Sequence, residues 1–95
     1  MGLRKGPDSR IVSRAPRDVR LLARAQRDLL ALQAVERQML AKHIDQLAVD
    51  ALPRGAEGLD GAHREHIRLR VGRFRVLYRV RDGELDVVAI TSGSD

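Results

Sequence analysis

Basic side chains concentrate in one stretch of the sequence, where they alternate with apolar residues. The stretch holds one histidine and six arginines: His66, Arg68, Arg70, Arg73, Arg75, Arg79 and Arg81. An arginine stays protonated and can hold a phosphate or a carboxylate with two parallel hydrogen bonds. A histidine titrates near neutral pH and can therefore take up a proton. These residue types are suited to bind an anion, and the histidine adds a group for acid–base chemistry.

The spacing of this stretch predicts two antiparallel strands. Alternation with period two, first over residues 66–71 and again over residues 74–80, is typical of strands with one buried face. Gly72 and Arg73 separate the two runs, and a glycine at the first turn position favours a tight hairpin. The turn predicts an apolar face that pairs Val71 with Phe74, Leu69 with Val76 and Ile67 with Tyr78. It predicts a basic face that pairs Arg70 with Arg75, Arg68 with Leu77 and His66 with Arg79.

The basic face of this hairpin requires a counter-charge. Like charges directly opposite each other destabilise a sheet by roughly 0.2–1 kcal/mol per pair. For the Arg70–Arg75 pair three sources of negative charge remain open: carboxylates of the chain itself, a protein partner, or phosphate. The alternative to a binding role is a solvated arginine face that Asp and Glu partly neutralise. On the apolar face, Tyr78 is predicted to be a core residue with a hydrogen-bonded hydroxyl.

Length and composition narrow the setting. The chain has 95 residues and a net charge of +5, and arginine supplies sixteen of its 18 basic residues. One domain is expected, and the basic balance favours nucleic acid or an acidic partner. Without cysteine there is no thiolate chemistry, and three histidines at this spacing make no metal site, so we expect neither cofactor nor metal. No apolar run reaches membrane-spanning length and no signal peptide is evident, which predicts a cytoplasmic protein without a membrane partner.

The rest of the chain predicts the layer that supports the hairpin. Residues 1–16 are expected to be an N-terminal tail or extra arm, and residues 17–95 the domain. "DVRLLA" predicts a first strand, followed by two helices in "ARAQRDLLAL" and "AVERQMLAKHIDQLAVDAL". Pro53 and Gly55 are expected to end the second helix.

A turn at Asp82-Gly83 leads into "ELDVVAITS", whose apolar run predicts an interior strand beside the first one. The predicted fold is α+β in two layers, in the order β-α-α-β-β-β. A mainly antiparallel sheet packs on a helical hairpin and its basic face points away from the helices.

Three stretches give the chain a family resemblance that covers roughly residues 17–92. "RLLARAQRDLLAL" is similar to a first strand running into an Ala-rich helix, and "ALPRGAEGLDG" to a loop with Pro and a following Leu-x-Gly. "IRLRVGRFRVLYRV" is similar to the pattern Arg-x-Arg-Val-Gly-x-Tyr-Arg-x-x-Tyr, with Phe74 in place of the first Tyr. In this order the stretches resemble the RelE/ParE superfamily of toxins from type II toxin–antitoxin pairs.

The resemblance implies a fold, an activity and partners. RelE-like members enter the ribosomal A site and cut mRNA, which inhibits translation, whereas ParE-like members poison DNA gyrase. Short helices and the Arg-x-Arg strand favour the RelE-like activity, an endoribonuclease that acts on mRNA and the ribosome. The implied protein partner is an acidic, partly disordered antitoxin that folds on the basic groove and forms a hetero-oligomer with the toxin.

The same resemblance implies roles for individual residues. Arg75 matches the arginine with which the family contacts phosphate, and Arg68 falls where RelE-like enzymes have a basic residue. His66 stands where RelE has a lysine implicated as the base, although a surface histidine without a role is the alternative. These three residues are the predicted catalytic group. The other arginines of the stretch are predicted to bind RNA phosphate: Arg70, on spacing alone, Arg73, Arg79 and Arg81.

The chain departs from the family after the last strand. RelE-like nucleases usually have a basic residue there, often followed by a tyrosine, and this pair supplies the acid and stacks on the mRNA base. Ser94 and Asp95 occupy those positions here. Four alternatives therefore stay open: a weakened nuclease, a toxin with an altered end, a ParE-like gyrase inhibitor, or an inactive RelE-fold module that binds antitoxin or RNA.

Overall fold

Six strands and two helices follow one another in the computed structural model, which describes residues 10–13, 17–61 and 64–93. The elements are β1 (Arg10–Ser13), β2 (Asp18–Leu21), α1 (Ala23–Leu30), α2 (Ala34–Gln46), β3 (Ala56–Gly58), β4 (Ile67–Val71), β5 (Phe74–Arg81) and β6 (Glu84–Ser92). Neither helix in this described part of the chain is long and apolar enough to span a membrane.

The strands form one sheet in the order β1-β2-β6-β5-β4-β3. Strands β2 and β6 are parallel neighbours, and the other neighbouring pairs are antiparallel. This confirms the two-layer α+β fold and the interior position of the last strand beside the first predicted strand. Two short edge strands were not predicted. One of them, β1, lies in the segment expected to be a tail or arm, most of which lies outside the described residues.

The β4–β5 hairpin has the predicted register over five of its six pairs. The ladder joins Ile67 to Tyr78 at one end and Val71 to Phe74 at the other. Gly72 has φ of 60° at the turn, a conformation that favours glycine and fits the predicted hairpin. Because β4 begins at Ile67, the predicted pair of His66 with Arg79 is not part of the ladder. The prediction was wrong for that pair.

The core lies between the sheet and the helices. Strand β4 contributes alternate residues to it, and β5 contributes Phe74, Val76 and Tyr78. Tyr78 has no exposed surface, and its hydroxyl donates a 2.6 Å hydrogen bond to the Ala51 carbonyl, which confirms its predicted core role. Burial, with the charge of Asp50 as the smaller cause, raises the pKa of Tyr78 to about 12.

Helix α2 ends earlier than expected. Its last residue is Gln46, whereas the sequence pattern predicted helix up to the loop containing Pro53. The guanidinium of Arg17 donates to the carbonyls of Leu47 (3.1 Å) and Ala48 (3.3 Å), and the Arg17 amide also donates to Ala48. These carbonyls therefore bond to the start of the domain rather than to a further helical turn. Leu47 and Ala48 remain buried, so these two residues still pack in the core although they lie beyond the end of the helix.

A carboxylate on α1 fixes the helix layer to the sheet. The backbone N–H of Ile90 donates a 2.9 Å hydrogen bond to Oδ2 of Asp28. The parallel ladder with β2 ends earlier, at Leu21 and Val87, so Asp28 supplies an acceptor where β2 no longer does. Strand β6 is thus bonded both to its neighbouring strands in the sheet and to helix α1.

Candidate nucleic-acid interface

One face of the sheet carries most of the predicted site residues. On β4, Arg68 and Arg70 alternate with core residues such as Leu69, and their side chains therefore lie on the face away from the helices. Arg75 lies on the same face of β5, between the buried residues Phe74 and Val76. We call Arg68, Arg70 and Arg75 the open arginine cluster. Arg70 is exposed and the other two are half-buried.

Two clefts meet at Arg70. The first, of about 50 Å³, is lined by Arg70, Gly72, Arg73, Phe74, Arg75 and Gly93. The second is wider, about 410 Å³, and is lined by Gly55, Ala56, Glu57, Arg68 and Arg70. Since Arg70 borders both, an extended anionic chain could contact it from either side. The wall residues are mostly arginine and glycine, which favours contact with charged groups rather than apolar ones.

The arginines of the predicted site differ in how far the chain itself neutralises them. Nη2 of Arg68 lies 3.4 Å from Oε1 of Glu57, and the Glu57 side chain is 69% exposed, so this ion pair is weak. Within the described residues, the Arg70 side chain forms no ion pair. Arg70, which borders both clefts, is thus the least neutralised member of the open arginine cluster.

Arg73 is engaged by the helix layer. Its guanidinium forms an ion pair with Glu36 of α2 and lies 4.5 Å from the centroid of the Phe74 ring, within the range of a cation–π contact. The ion pair with Glu36 links the β4–β5 turn to α2. Arg73 lines the first cleft but reaches an anion there only in competition with Glu36.

A second group of charges on the same face neutralises itself. Nε of Arg20 donates a 3.0 Å hydrogen bond to Oδ1 of Asp86, and its Nη2 lies 2.8 Å from Glu84. Arg79 Nε lies 3.5 Å from the other oxygen of Asp86, an electrostatic contact without hydrogen-bond geometry. Arg20 and Asp86 are both buried. We call Arg20, Arg79, Glu84 and Asp86 the buried ion network.

The sequence analysis did not predict this network, although one feature of the sequence indicates it. Asp86 interrupts the apolar run of the last strand, and a carboxylate at such a position needs a cationic partner. Arg20 is opposite Asp86 across the parallel β2–β6 ladder and Arg79 is opposite it across β5–β6. Arg79, predicted to bind RNA phosphate, is therefore half-buried beside a carboxylate. Arg81 is exposed at the end of β5, opposite Glu84.

His66 directly precedes β4 and is half-buried. Its carbonyl accepts a 3.0 Å hydrogen bond from the Leu59 amide, which places the residue at the start of the hairpin and two positions from Arg68. His63, Ser94 and Asp95 lie outside the described residues. In the part of the chain that the structure describes, no three His, Asp or Glu side chains are grouped so that they could hold a metal ion.

The open face can therefore do two things chemically. The open arginine cluster offers guanidinium groups on two adjacent strands, which is suited to bind a phosphodiester backbone. His66, at one end of β4, adds an imidazole, which is able to accept or donate a proton. An arginine cannot do so, because it does not lose its proton.

The overall arrangement is similar to three solved structures, one of which is a toxin–antitoxin complex. A chain of the toxin–antitoxin complex RelBE2 from Mycobacterium tuberculosis matches with a TM-score of 0.72 at 23% identity, over 79% of this chain and 95% of that one. YafQ from Escherichia coli matches with a TM-score of 0.66 at 14% identity, over 80% and 92% of the two chains. A conserved hypothetical protein from Helicobacter pylori matches with a TM-score of 0.53 at 18% identity, over 90% and 98%.

These matches define the fold as that of RelE-like proteins. No family model matches the sequence, and no curated protein matches it. The similarity covers nearly the whole length of the three solved chains and at least 79% of this one.

Proposed function

We propose that this chain is the toxin of a type II toxin–antitoxin pair and that it cuts mRNA bound in the ribosomal A site. One observation carries the proposal: Arg68, Arg70 and Arg75 lie together on the open face of a RelE-like sheet. Within this group, Arg70 has no ion pair among the described residues, and Arg68 has a weak one. Such a surface is suited to take its counter-charge from a ligand.

The chemistry follows from the residue types. The 2′-oxygen of the RNA attacks the neighbouring phosphorus and the bond from phosphorus to the 5′-oxygen breaks, which leaves a 2′,3′-cyclic phosphate and a 5′-hydroxyl. His66 accepts the proton of the 2′-hydroxyl as general base. Arg75 and Arg68 hold the non-bridging oxygens, where negative charge develops in the transition state. The leaving 5′-oxygen takes its proton from water.

The proposed protein partner is an acidic antitoxin segment. The solved RelBE2 structure is a toxin–antitoxin complex, which supports a partner of this kind. Carboxylates of such a segment would occupy the same positions as RNA phosphates, because arginine pairs with both. Binding of the antitoxin and binding of mRNA should then exclude each other.

Expression in bacteria tests the proposal. Wild-type protein should arrest growth and produce new mRNA 5′-ends within translated regions, which primer extension detects. Arg75→Gln should abolish both effects, whereas Arg27→Gln, which makes the same charge change on an exposed position of α1, should abolish neither. Growth arrest with intact mRNA would reject the nuclease, and a supercoiling assay with purified gyrase would then test the ParE-like alternative.

A second candidate function is a non-catalytic module that binds antitoxin or RNA. It is favoured by one observation: Tyr78 of the same hairpin is buried and its hydroxyl is bonded to the Ala51 carbonyl, so this hydroxyl does not reach the open face as an acid. This candidate predicts no growth arrest on expression and tight binding to an acidic antitoxin peptide. Growth arrest that Arg75→Gln abolishes would reject it.

A further inference from the structure

Gly93 lies against the guanidinium of Arg75. A methyl group built on Gly93 would stand 2.9 Å from Nη1 of Arg75, with Cζ at 3.9 Å and Nη2 at 4.0 Å. The first separation is shorter than carbon and nitrogen atoms tolerate without a bond. The backbone of Gly93 also approaches the hairpin turn, because its N–H donates a 3.3 Å hydrogen bond to the Arg73 carbonyl.

The backbone itself does not require glycine at this position. Positive φ angles occur at Gly55, Gly61, Gly72 and Gly83, but not at Gly93. An alanine would therefore fit the main chain and keep the bond to Arg73. The only atoms that it meets closely belong to the tip of a long, flexible side chain, and that tip can move at little cost to the fold. A side chain at Gly93 thus acts on the position of the Arg75 guanidinium and hardly on stability.

We propose that Gly93 is a positioning residue, which leaves room for the Nη1 end of the Arg75 guanidinium beside the end of β6 on the wall of the first cleft. A side chain at this position pushes the guanidinium away from β6 and reduces its fit to a bound phosphate. The inference rests on the proposed function, because it takes Arg75 as the residue that contacts the anion. It goes further by assigning the geometry of that contact to a residue without a functional group.

A double-mutant cycle on the full chain tests the coupling. The variants are Gly93→Ala, Arg75→Lys and the combination, and the probe is a short fluorescent RNA at low salt. Gly93→Ala should weaken binding about tenfold, the equivalent of one charged hydrogen bond. In the Arg75→Lys background, where no guanidinium stands beside Gly93, the same change should alter affinity less than about twofold.

Gly58→Ala is the matched control. Gly58 lies on β3 with no atom within 4 Å of the added methyl group and without a positive φ, so the same substitution meets nothing there. Thermal melts of all variants should coincide with wild type within a few degrees. If Gly93→Ala weakened binding equally in the wild-type and Arg75→Lys backgrounds, or if Gly58→Ala matched its effect, the positioning role would be rejected.

Nuclear magnetic resonance of the guanidinium group tests the same point without RNA. The Nε–H signal of Arg75, assigned by its loss in Arg75→Lys, should shift in Gly93→Ala and stay in place in Gly58→Ala. An unchanged signal in Gly93→Ala would overturn the inference. A protein that shows the shift but neither binds nor cuts RNA would reject the proposed function and leave the positioning role standing, so the two failures are distinguishable.

Discussion

Arg70 lies directly opposite Arg75 across the antiparallel β4–β5 ladder, on the face of the sheet away from the helices. On the same face, other arginines have carboxylates within reach: Arg20 and Arg79 share Asp86, and Arg68 lies near Glu57. The protein therefore neutralises one end of its basic face internally, whereas at the other end Arg70 forms no ion pair among the described residues. This division separates a part of the sheet that stabilises the fold from a part that we propose binds RNA.

Among the charged residues of the buried ion network, Asp86 is expected to contribute most to the stability of the fold. Asp86→Ala leaves Arg20, whose side chain is 8% exposed, with Glu84 as its remaining ion-pair partner among the described residues. Removing one member of a buried ion pair typically costs about 3–5 kcal/mol, and we expect a loss near the lower end because Glu84 remains. Urea denaturation measures the change. Glu84→Gln should cost less than about 1 kcal/mol, since this carboxylate is 43% exposed. Equal losses for the two variants would show that Asp86 has no special role in the network.

Alkaline pH is expected to destabilise the fold through Tyr78. Burial, and to a smaller extent the charge of Asp50, raises the pKa of Tyr78 from 10.0 to about 12. An unfolded chain loses this proton near pH 10, while the folded chain keeps it up to about pH 12. The stabilisation is therefore complete below pH 10 and is lost as the pH rises to 12, by on the order of 2–3 kcal/mol.

Two features make this pH dependence measurable. Tyr78 is the one tyrosine of the chain, so phenolate absorbance reports its titration directly. In Tyr78→Phe the decline of the unfolding free energy between pH 10 and pH 12 should be smaller, because only other groups still titrate. A folded-state titration midpoint close to pH 10 would contradict the buried, hydrogen-bonded environment of the hydroxyl.

The hairpin could be predicted from the sequence because its information is local. Alternation and the two-residue turn at Gly72 fix the register from Ile67 to Tyr78 within a short segment, and the apolar run of the last strand indicates its interior position. The arginines of this segment could be named for the same reason. The environment of each arginine could not be predicted, because it depends on residues that are distant in sequence.

Long-range partners account for what the sequence did not reveal. Glu36 pairs with Arg73 from α2, and Asp86 pairs with Arg20 across 66 positions of the chain. Asp86 within an apolar run indicates that a cationic partner is needed, but no local pattern identifies which residue that partner is. The close approach of Gly93 to Arg75 depends on where β6 ends beside β5, which the strand pattern alone does not specify. The short edge strands β1 and β3 were missed because three or four residues carry too little alternation.

Glu57 is expected to limit RNA affinity. Its carboxylate competes with phosphate for Arg68 at the rim of the second cleft, so Glu57→Gln should raise affinity for a short RNA about two- to fivefold. Stability should hardly change, because the Glu57 side chain is exposed and its ion pair with Arg68 is long. Asp45→Asn makes the same charge change on an exposed position of α2 and is the control. An equal gain in the control would show that net charge alone is responsible.

His66 is expected to affect the rate of cutting rather than binding. His66→Gln removes the proposed base and should lower cleavage of ribosome-bound mRNA by about 10²–10⁴-fold, while the affinity for RNA stays within about twofold of wild type. His43→Gln is the control, because His43 lies exposed on α2 with Nδ1 2.9 Å from the Met39 carbonyl oxygen. Full activity of His66→Gln would exclude His66 as the base.

Arg70→Gln tests the central claim most directly, through thermal melts and salt-titrated RNA binding of purified wild type, Arg70→Gln and the control Arg27→Gln. Removing one of two paired charges should leave the free protein as stable as wild type or more stable, by a few tenths of a kcal/mol up to about 1 kcal/mol. RNA binding should weaken by about 1.5–3 kcal/mol, and the slope of log binding constant against log salt concentration should become shallower by roughly one unit. Arg27→Gln should change neither the RNA affinity nor this slope. An Arg70→Gln protein that melts well below wild type and binds RNA normally would show that this arginine pair serves the fold, and the account of the open face would be wrong.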